Sequence, residues 1–584
     1  MALLARSVLL LACSIASIQS LAPPRQQHAV VVGAGPVGIA TALTLASHHN
    51  YTVTLLESSP PSSSQTQYDP TKAFLYNVNG RGQTLTKQFP GMQQKLIERS
   101  VPSAGFGGVQ LTIVPADPAV EIPQKKKNME GTEKKKKNDK KKNEMKGAMQ
   151  SEKAVGVGYW LPRHEMVKLM AECIDEHNAQ HESCKITFVM GQECVDILPT
   201  KKVGQSNSVC VTARNVEDGS LKTHHATLVV GADGMNSKVR QCLATSSSTI
   251  WNSHKGFSPN KFEPKQWTSP ASHLRIKVLQ LPPQFEIPDG DGKPPIKTKG
   301  ENIYALRSIN TGPRNYLSLG LLPMKDNTAV RPTNIVTRPD HEVWTIHDGP
   351  SMRQYFQKAF PRFNFEKDGK LISEEEWDRF AKAQGTRFPH CQYSEGVAVW
   401  DDSGTCGVAL VGDAVHAFPP DIGQGVNAGL MDVVCLDRAL KGLDTVTGKE
   451  TTVESTERKS ALSLQTNLER YQKQHAPEIA ALIRLARFGA PYQYNQPHRA
   501  DRLLKKMWTA NVALRLILSK LTFGLIQPSC ILLSQKGELT FRQVMRRADL
   551  TTAFFKAVLA GGLGLWVKRR FGFGFLKTLF GVML

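Results

Sequence analysis

The 584-residue sequence predicts a mixed α/β fold: a strand–helix–strand unit at the start, a mostly antiparallel β-sheet domain in the middle and a helical C-terminal region. Three observations carry this. Residues 28–59 open on the apolar run HAVVV, pass through a glycine turn into PVGIATALTLASHH with helical composition, and end on the alternating strand YTVTLLES. Across 255–395 the segments SHLRIKVLQLP, NIYALRSI and RNYLSLGLLP are β-rich, with SMRQYFQKAF as a helix. Beyond 454 the helical pieces lie around 460–488, 502–521 and 540–567. Between the first two blocks, a helix starts after Pro162, and KITFVMGQECVDILP, SVCVTARNVED and ATLVVGADG read as strands separated by turn residues. CGVALVGDAVHAF then returns to a buried strand, followed by a helix over NAGLMDVVCLDRALKGL.

Hydrophobic residues at 40% and charged residues at 21% are globular values, and the length suits two to four domains. The formal charge of +22 invites a nucleic-acid reading, but its distribution argues against one. Residues 124–146 hold eleven lysines against four acids, without interleaved aromatics, the composition of a solvated, disordered insertion. The ten cysteines include no CxxC, which leaves neither zinc-ligand spacing nor a dithiol redox motif, so no metal site is expected. The first twenty residues pair Arg6 with an apolar run from Val8 to Ile18 and small residues before Leu21, the pattern of a secretory signal peptide. At the other end only eleven uncharged residues separate Lys556 from Lys568, too few to span a bilayer. Phenylalanines and leucines beside Lys568, Arg569, Arg570 and Lys577 suit membrane association at the interface instead. The expected location is a membrane of the secretory or plastid system rather than the mitochondrial outer membrane.

Three dispersed motifs carry the chemistry. In GAGPVG, Gly33 permits a tight turn, Gly35 lets a pyrophosphate approach the backbone and Gly38 allows close helix–strand packing. The amides of the following helix then face the phosphates, and Glu57, nineteen residues on, can accept hydrogen bonds from ribose hydroxyls. This is a Rossmann fingerprint in its proper strand–turn–helix setting, and it does not separate NAD from FAD. In the second motif, LVVGADGMNSKVR, a strand runs into a turn at Asp233 and Gly234. In the third, ALVGDAVHAFPPDIGQGVNAGLMD, a buried strand ends at Gly412 and Asp413, whose carboxylate can hold a sugar hydroxyl. Pro420, Gly423 and Gly425 follow in a loop whose backbone can approach a flat ligand, and the helix from Val426 and Asn427 points its dipole there. His416 reads as structural.

Together the three motifs resemble, in order and spacing over roughly 28–440, the group A flavoprotein monooxygenases, the para-hydroxybenzoate hydroxylase-like family. The resemblance implies a discontinuous, GR2-type FAD domain in three parts (27–120, 151–254 and 396–445), with the Lys-rich insertion at 121–150. It further implies an inserted substrate domain at 255–395, a helical region at 446–550 and a membrane-associated tail at 551–584. Gly33, Gly35, Gly38 and Glu57 would hold the ADP half of FAD, and Gly412, Asp413 and the Gly425–Asn427 turn the flavin half. Arg163 matches an arginine placed beside FAD, and Asp233 with Gly234 matches a motif linked to both FAD and NAD(P)H. With one fingerprint only, NADPH or NADH would bind transiently, reduce the flavin and leave. O2 would then form a C4a-hydroperoxide that hydroxylates a small aromatic substrate, with no side chain needed as a nucleophile.

Within the family the kynurenine 3-monooxygenase branch is the nearest likeness. Gly80-Arg81 with Gln83, Thr84 and Leu85 resembles its Gly-Arg-Ser stretch, which places Arg81 among the cofactor residues. The stretch GFGGVQLTIVP (105–115) lacks that branch's carboxylate-binding arginine, and Arg484 falls where a polar substrate contact is expected. Epoxidases and reductases of lipids share the scaffold. So do non-catalytic escort proteins for prenylated GTPases, against which Asp413 and the GQGVNAG loop argue.

Overall fold

A computed structural model of the chain describes residues 27–61, 66, 68–104, 109–123, 157–200, 207–246, 251, 258–290, 293–311, 316–365, 371–450, 463–494, 499–534 and 537–581. The signal segment 1–20, the lysine run 124–146 and Gly105–Gly108 lie outside the described residues.

The first sheet is assembled from three distant stretches of chain. Its strands run in the order Ala398–Trp400, Gly407–Leu410, Leu228–Gly231, His28–Val32, Thr52–Leu56 and Ile186–Val189. All neighbours are parallel except the first pair. His28–Val32 stands at the centre, in register with Thr52–Leu56 on one side (Val30 opposite Thr54) and Leu228–Gly231 on the other (Val30 opposite Val229). The central strands are buried on both faces, which is why they read as continuous Val/Leu/Ala runs. Helix Pro36–His49 leaves the first strand through the Gly33 turn and ends on Asn50 in the left-handed conformation. This is the discontinuous α/β domain that the three motifs imply.

The second sheet runs Thr386–Arg387, Arg275–Leu281, Arg331–Thr337, Ser318–Leu321, Ile303–Arg307 and Leu111–Val114. Every pair is antiparallel but the last. Leu111–Val114, expected with the first domain, thus forms the edge of the second. Behind the sheet, helices Gly349–Ala359 and Glu374–Lys382 close an aromatic core around Phe356, Phe360, Phe365, Trp377 and Phe380. The second of these helices carries its own sequence signals: a Ser373 cap on the Glu376 amide, three acids in the first turn, and Trp377, Phe380 and Ala381 on one buried face.

Helix Leu464–Phe488 lies against the first domain, burying Leu468, Tyr471, Ile479 and Leu482. Helix Arg499–Leu521 buries only Arg515. Among the described residues no helix is long and apolar enough to cross a membrane. No disulfide and no metal-ligating cluster occurs among them, and six of the nine described cysteines are buried as small hydrophobes.

Candidate functional site

The three motifs converge on one cleft of about 1450 Å³ between the two sheets. Of the residues singled out in the sequence, Gly33, Gly35, Glu57, Arg163, Asp233, Gly234, Asp413, Pro420, Gly423, Gly425 and Val426 line it. The strand ends explain the convergence. His28–Val32, Leu228–Gly231 and Gly407–Leu410 are adjacent and parallel, so the turns that follow them emerge side by side at their carboxyl ends.

Each turn is fixed by a backbone contact. Gly33, at φ +96°, packs so closely on Ala232 of the second motif that a Cβ would stand 2.5 Å from the Ala232 carbonyl oxygen. Gly38 leaves no space either, since a Cβ there would fall on the Gly33 carbonyl. Gly35 is different: nothing stands within 4 Å of where its Cβ would be, and the same holds for Gly234, Gly423 and Gly425. These four open faces, with the N-termini of helices Pro36–His49 and Gly425–Leu440, form a cradle into which a phosphate and a flat ring can descend onto bare backbone.

Glu57 accepts the Ala34 amide at 2.9 Å on one carboxylate oxygen and the Ser59 amide at 2.9 Å on the other. It therefore braces the phosphate turn as well as facing the cleft. Asp233 uses Oδ2 to accept the Lys238 and Val239 amides (2.7 and 3.2 Å), while its buried Oδ1 has no partner in the protein. Burial pushes the Asp233 carboxyl up, against its hydrogen bonds. Asp413 opens into the cleft, where burial beneath the protein walls likewise raises its carboxyl; the nearby His416 pulls the other way. Arg163 begins helix Arg163–Gln180, donates its amide to Phe74 O at 2.8 Å and lines the cleft beside Tyr76.

Five residues sit behind the wall or elsewhere. Gly38 is packed in the turn. Gly412 donates its amide to Asp432 Oδ2 at 2.7 Å. Asn427, fully buried, accepts the Asn79 amide at 2.9 Å and donates to Asn77 O at 2.9 Å, joining the cofactor helix to the strand Leu75–Val78. The structure does not bring Arg81 to the cleft: its guanidinium turns to the C-terminal region, donating to Ser534 O and Leu539 O at 2.6 Å each and stacking on Phe541 at 4.5 Å. Near Arg81 stand Glu478 and backbone carbonyls rather than an open face. Arg484 is also remote, half-exposed and paired with Asp549 at 3.0 Å.

Sequence reasoning missed three groups. Asp432 holds both His416 (2.7 Å) and His475 (2.8 Å) in a buried cluster beneath the Gly412 turn, confirming a structural partner for His416. Asp421 lies buried within the Pro420–Gly423 loop. On the second sheet, alternation puts Leu274 and Ile276, Asn334 and Val336, and Ser318 and Gly320 on the face toward the cleft, with Arg307 and Arg387 beside them.

The four open glycine faces and the unpartnered Asp233 Oδ1 fit an adenine–flavin dinucleotide. Residues 26–287 and 386–470, more than half of the chain, match the FAD binding domain family. Over 182 residues the chain is 28% identical to kynurenine 3-monooxygenase of Neurospora crassa, covering 30% of this chain and 33% of that enzyme. It thus spans about a third of the curated relative it matches. Among solved structures, the tetrameric 2-methyl-3-hydroxypyridine-5-carboxylic acid oxygenase aligns over 83% of this chain and 93% of its own at 18% identity, with a TM-score of 0.45. The tetracycline destructase Tet(51) aligns over 83% and 97% at 15% identity, with a TM-score of 0.44. The protein belongs to the FAD binding domain family, with FAD as its cofactor.

Proposed function

We propose that the protein is an NAD(P)H-using monooxygenase that hydroxylates a small aromatic substrate, kynurenine or a relative of it. One observation carries the reading: the dinucleotide cradle and the face of the second sheet enclose a single continuous cleft, so a ring held at Gly423 and Gly425 would share it with Ile276, Asn334 and Val336. Bound FAD supplies the redox chemistry, accepting electrons from NAD(P)H and passing them to O2. The residues of the chain bind, orient and exclude water. Gly35 and Gly234 leave the backbone bare for the dinucleotide, Asp413 would accept from its hydroxyls, and the helix beginning at Gly425 would offer its amides to the flavin half. Ile276, Val336, Leu322 and Phe388 give the substrate an apolar bed.

Substrate recognition differs from the branch this sequence resembles. Arg338 is engaged by Asp340 at 3.2 Å, but Arg307 and Arg387 face the cleft with no ion pair among the described residues. Both stand on the second sheet, and they take the place of the arginine absent from GFGGVQLTIVP, favouring a substrate with a carboxylate. The exposed Leu503, Met507, Ile517, Phe523 and Leu525 of the C-terminal region, interspersed with Lys505, Lys506 and Lys520, support attachment to a membrane surface.

The test is NADPH oxidation and O2 uptake by the FAD-loaded protein with and without L-kynurenine, with products weighed by mass spectrometry. Substrate-stimulated uptake and a product heavier by one oxygen atom are expected. NADPH oxidation that saturates a lipid double bond without consuming O2 overturns the oxygenase reading in favour of a reductase, and a colourless protein that binds no FAD removes catalysis altogether.

A further inference from the structure

Asp421 lies between Pro420 and Gly423, both in the wall of the cleft, yet it is only 6% exposed and neither of its carboxyl oxygens has a hydrogen-bond partner in the protein. The residues around its loop are apolar: Phe418, Ile422, Ala428, Leu482 and Leu485 share one cluster with Cys391. A buried carboxyl without donors is costly to keep, and structural aspartates elsewhere in this chain avoid that state. Asp401 accepts the Thr405 and Cys406 amides and Asp432 accepts two histidines and an amide. Asp421 holds nothing, so a structural role does not explain it.

Its surroundings connect it to the cleft. Burial, and after it the charge of Asp421 within electrostatic range, raises the Tyr494 phenol of the cleft lining far above its ordinary value. The Cys391 thiol on the neighbouring strand also feels the Asp421 charge. Arg487, the cation acting on that thiol, is stacked between Trp267 (4.9 Å) and Phe488 (5.0 Å). Burial alone lifts the Asp421 carboxyl to about 7, so near neutral pH it is as ready to release a proton as to take one.

We propose that Asp421 is the proton store of the cleft, passing its proton to the ligand face through the Tyr494 phenol and recovering it from solvent. Because Asp421 has no hydrogen-bond partner in the protein, the transfer runs through a bridging water: the water gives a proton to the phenol oxygen as the phenol O–H proton leaves toward the ligand, and takes one from Asp421, so water and Tyr494 end each transfer unchanged. This rests on the oxygenase reading above. In that reaction NAD(P)H, O2, the substrate and one proton give NAD(P)+, water and the hydroxylated product. NAD(P)H is the reductant and O2 the oxidant, and Asp421 supplies the proton.

The experiment compares the FAD-loaded wild type with Asp421→Asn, Asp421→Glu and Tyr494→Phe. The first readout is infrared titration of the protonated carboxyl band, which needs no turnover. The second is the pH profile of kcat with substrate. Expected are a band that fades around pH 7 and is missing from the Asn variant, and a kcat lower by about 10²-fold in the Asn and Phe variants, with the wild-type ionisation lost in the former. The Glu variant should restore most of the rate with a shifted profile. FAD retention should be unchanged throughout, which separates proton supply from folding. A band that titrates below pH 5, or an Asn variant that keeps the wild-type rate and profile, overturns the proposal. If the wild type hydroxylates no ring at all, the oxygenase reading fails and the proton-supply step with it, while the infrared titration still reports whether Asp421 holds the proton.

Discussion

His475 and Asp432, forty-three positions apart, form a buried pair at 2.8 Å directly beneath the turn that presents Asp413 to the cleft. The other Asp432 oxygen accepts His416 at 2.7 Å and the Gly412 amide at 2.7 Å, and the Tyr471 ring stacks on His475 at 5.0 Å. Burial works against charge on both Asp432 and His475. The two imidazoles nevertheless hold the Asp432 carboxyl well below the usual range, and Cys435 with the Asp432 carboxylate lifts His475 to about 10. One carboxylate thus ties a histidine of the third motif, a histidine of helix Leu464–Phe488 and the backbone of the flavin turn into one unit.

Replacing Asp432 by Asn should therefore do more than remove a bond. It leaves His475 without its counter-ion in a dry site, a loss of about 3–5 kcal/mol on the scale of broken buried pairs. The pH dependence follows from the two shifts. The raised His475 contributes stability fully present below 6.5 and lost as pH climbs toward 10. The depressed Asp432 contributes stability present above 3.8 and lost as pH falls below it. Thermal melts of the wild type should accordingly decline above about pH 6.5 more steeply than those of the Asn variant, and the variant should release FAD more readily on dilution.

Arg81 sets a second expectation. Its guanidinium holds two carbonyls of the C-terminal segment and stacks on Phe541, so Arg81→Ala leaves Ser534 O and Leu539 O without their donor. The cost should be about 2–4 kcal/mol, from two charge-assisted bonds partly replaced by water. Limited proteolysis should then cut near residues 534–541 first, while the flavin spectrum stays that of the wild type. Loss of FAD with an intact C-terminal segment would instead return Arg81 to the cofactor site.

What the sequence revealed and what it concealed divide along one physical line. The flavin cradle is built from backbone, and backbone geometry is encoded locally: Gly33, Gly35, Gly38 and the Gly423–Gly425 loop announce their turns within a few residues. The strands that lead into the motifs were legible for the same reason, since each motif follows a fully apolar run. The Asp432–His475 contact spans two helices, and the burial of Asp421 depends on Leu482 and Leu485 from a later part of the chain, so no local pattern could report either. Arg81 was misplaced because its role came from likeness to a short stretch, and here the guanidinium has been captured by a C-terminal segment folded over it. The strand Leu111–Val114 was too short for its alternation to say which sheet it would join.

Arg307 and Arg387 make the substrate reading quantitative. A guanidinium–carboxylate contact in a partly dry cleft is worth about 1.5–3 kcal/mol, so either Ala substitution should raise KM for a carboxylate-bearing aromatic by about 10–100-fold. The amide of the same substrate should bind wild type and variants alike, because it has no charge to lose. Equal effects on acid and amide would mean that the arginines shape the wall rather than read the substrate.

The first motif allows the sharpest contrast, because two of its glycines fail for different reasons. At Gly38 a methyl group would collide with the Gly33 carbonyl inside the folded turn, so Gly38→Ala must move backbone and should lower stability whether or not FAD is present. At Gly35 nothing lies within 4 Å, and its backbone is extended rather than left-handed, so Gly35→Ala meets no protein atom. The apoprotein of the Gly35 variant should melt as the wild type does, while its side chain stands where the pyrophosphate approaches. Flavin titration should show FAD affinity reduced by at least about tenfold, with little change for riboflavin, which has no pyrophosphate to exclude. If riboflavin and FAD weaken together, the face above Gly35 receives the ring, and the orientation of the cofactor along the cleft must be reversed.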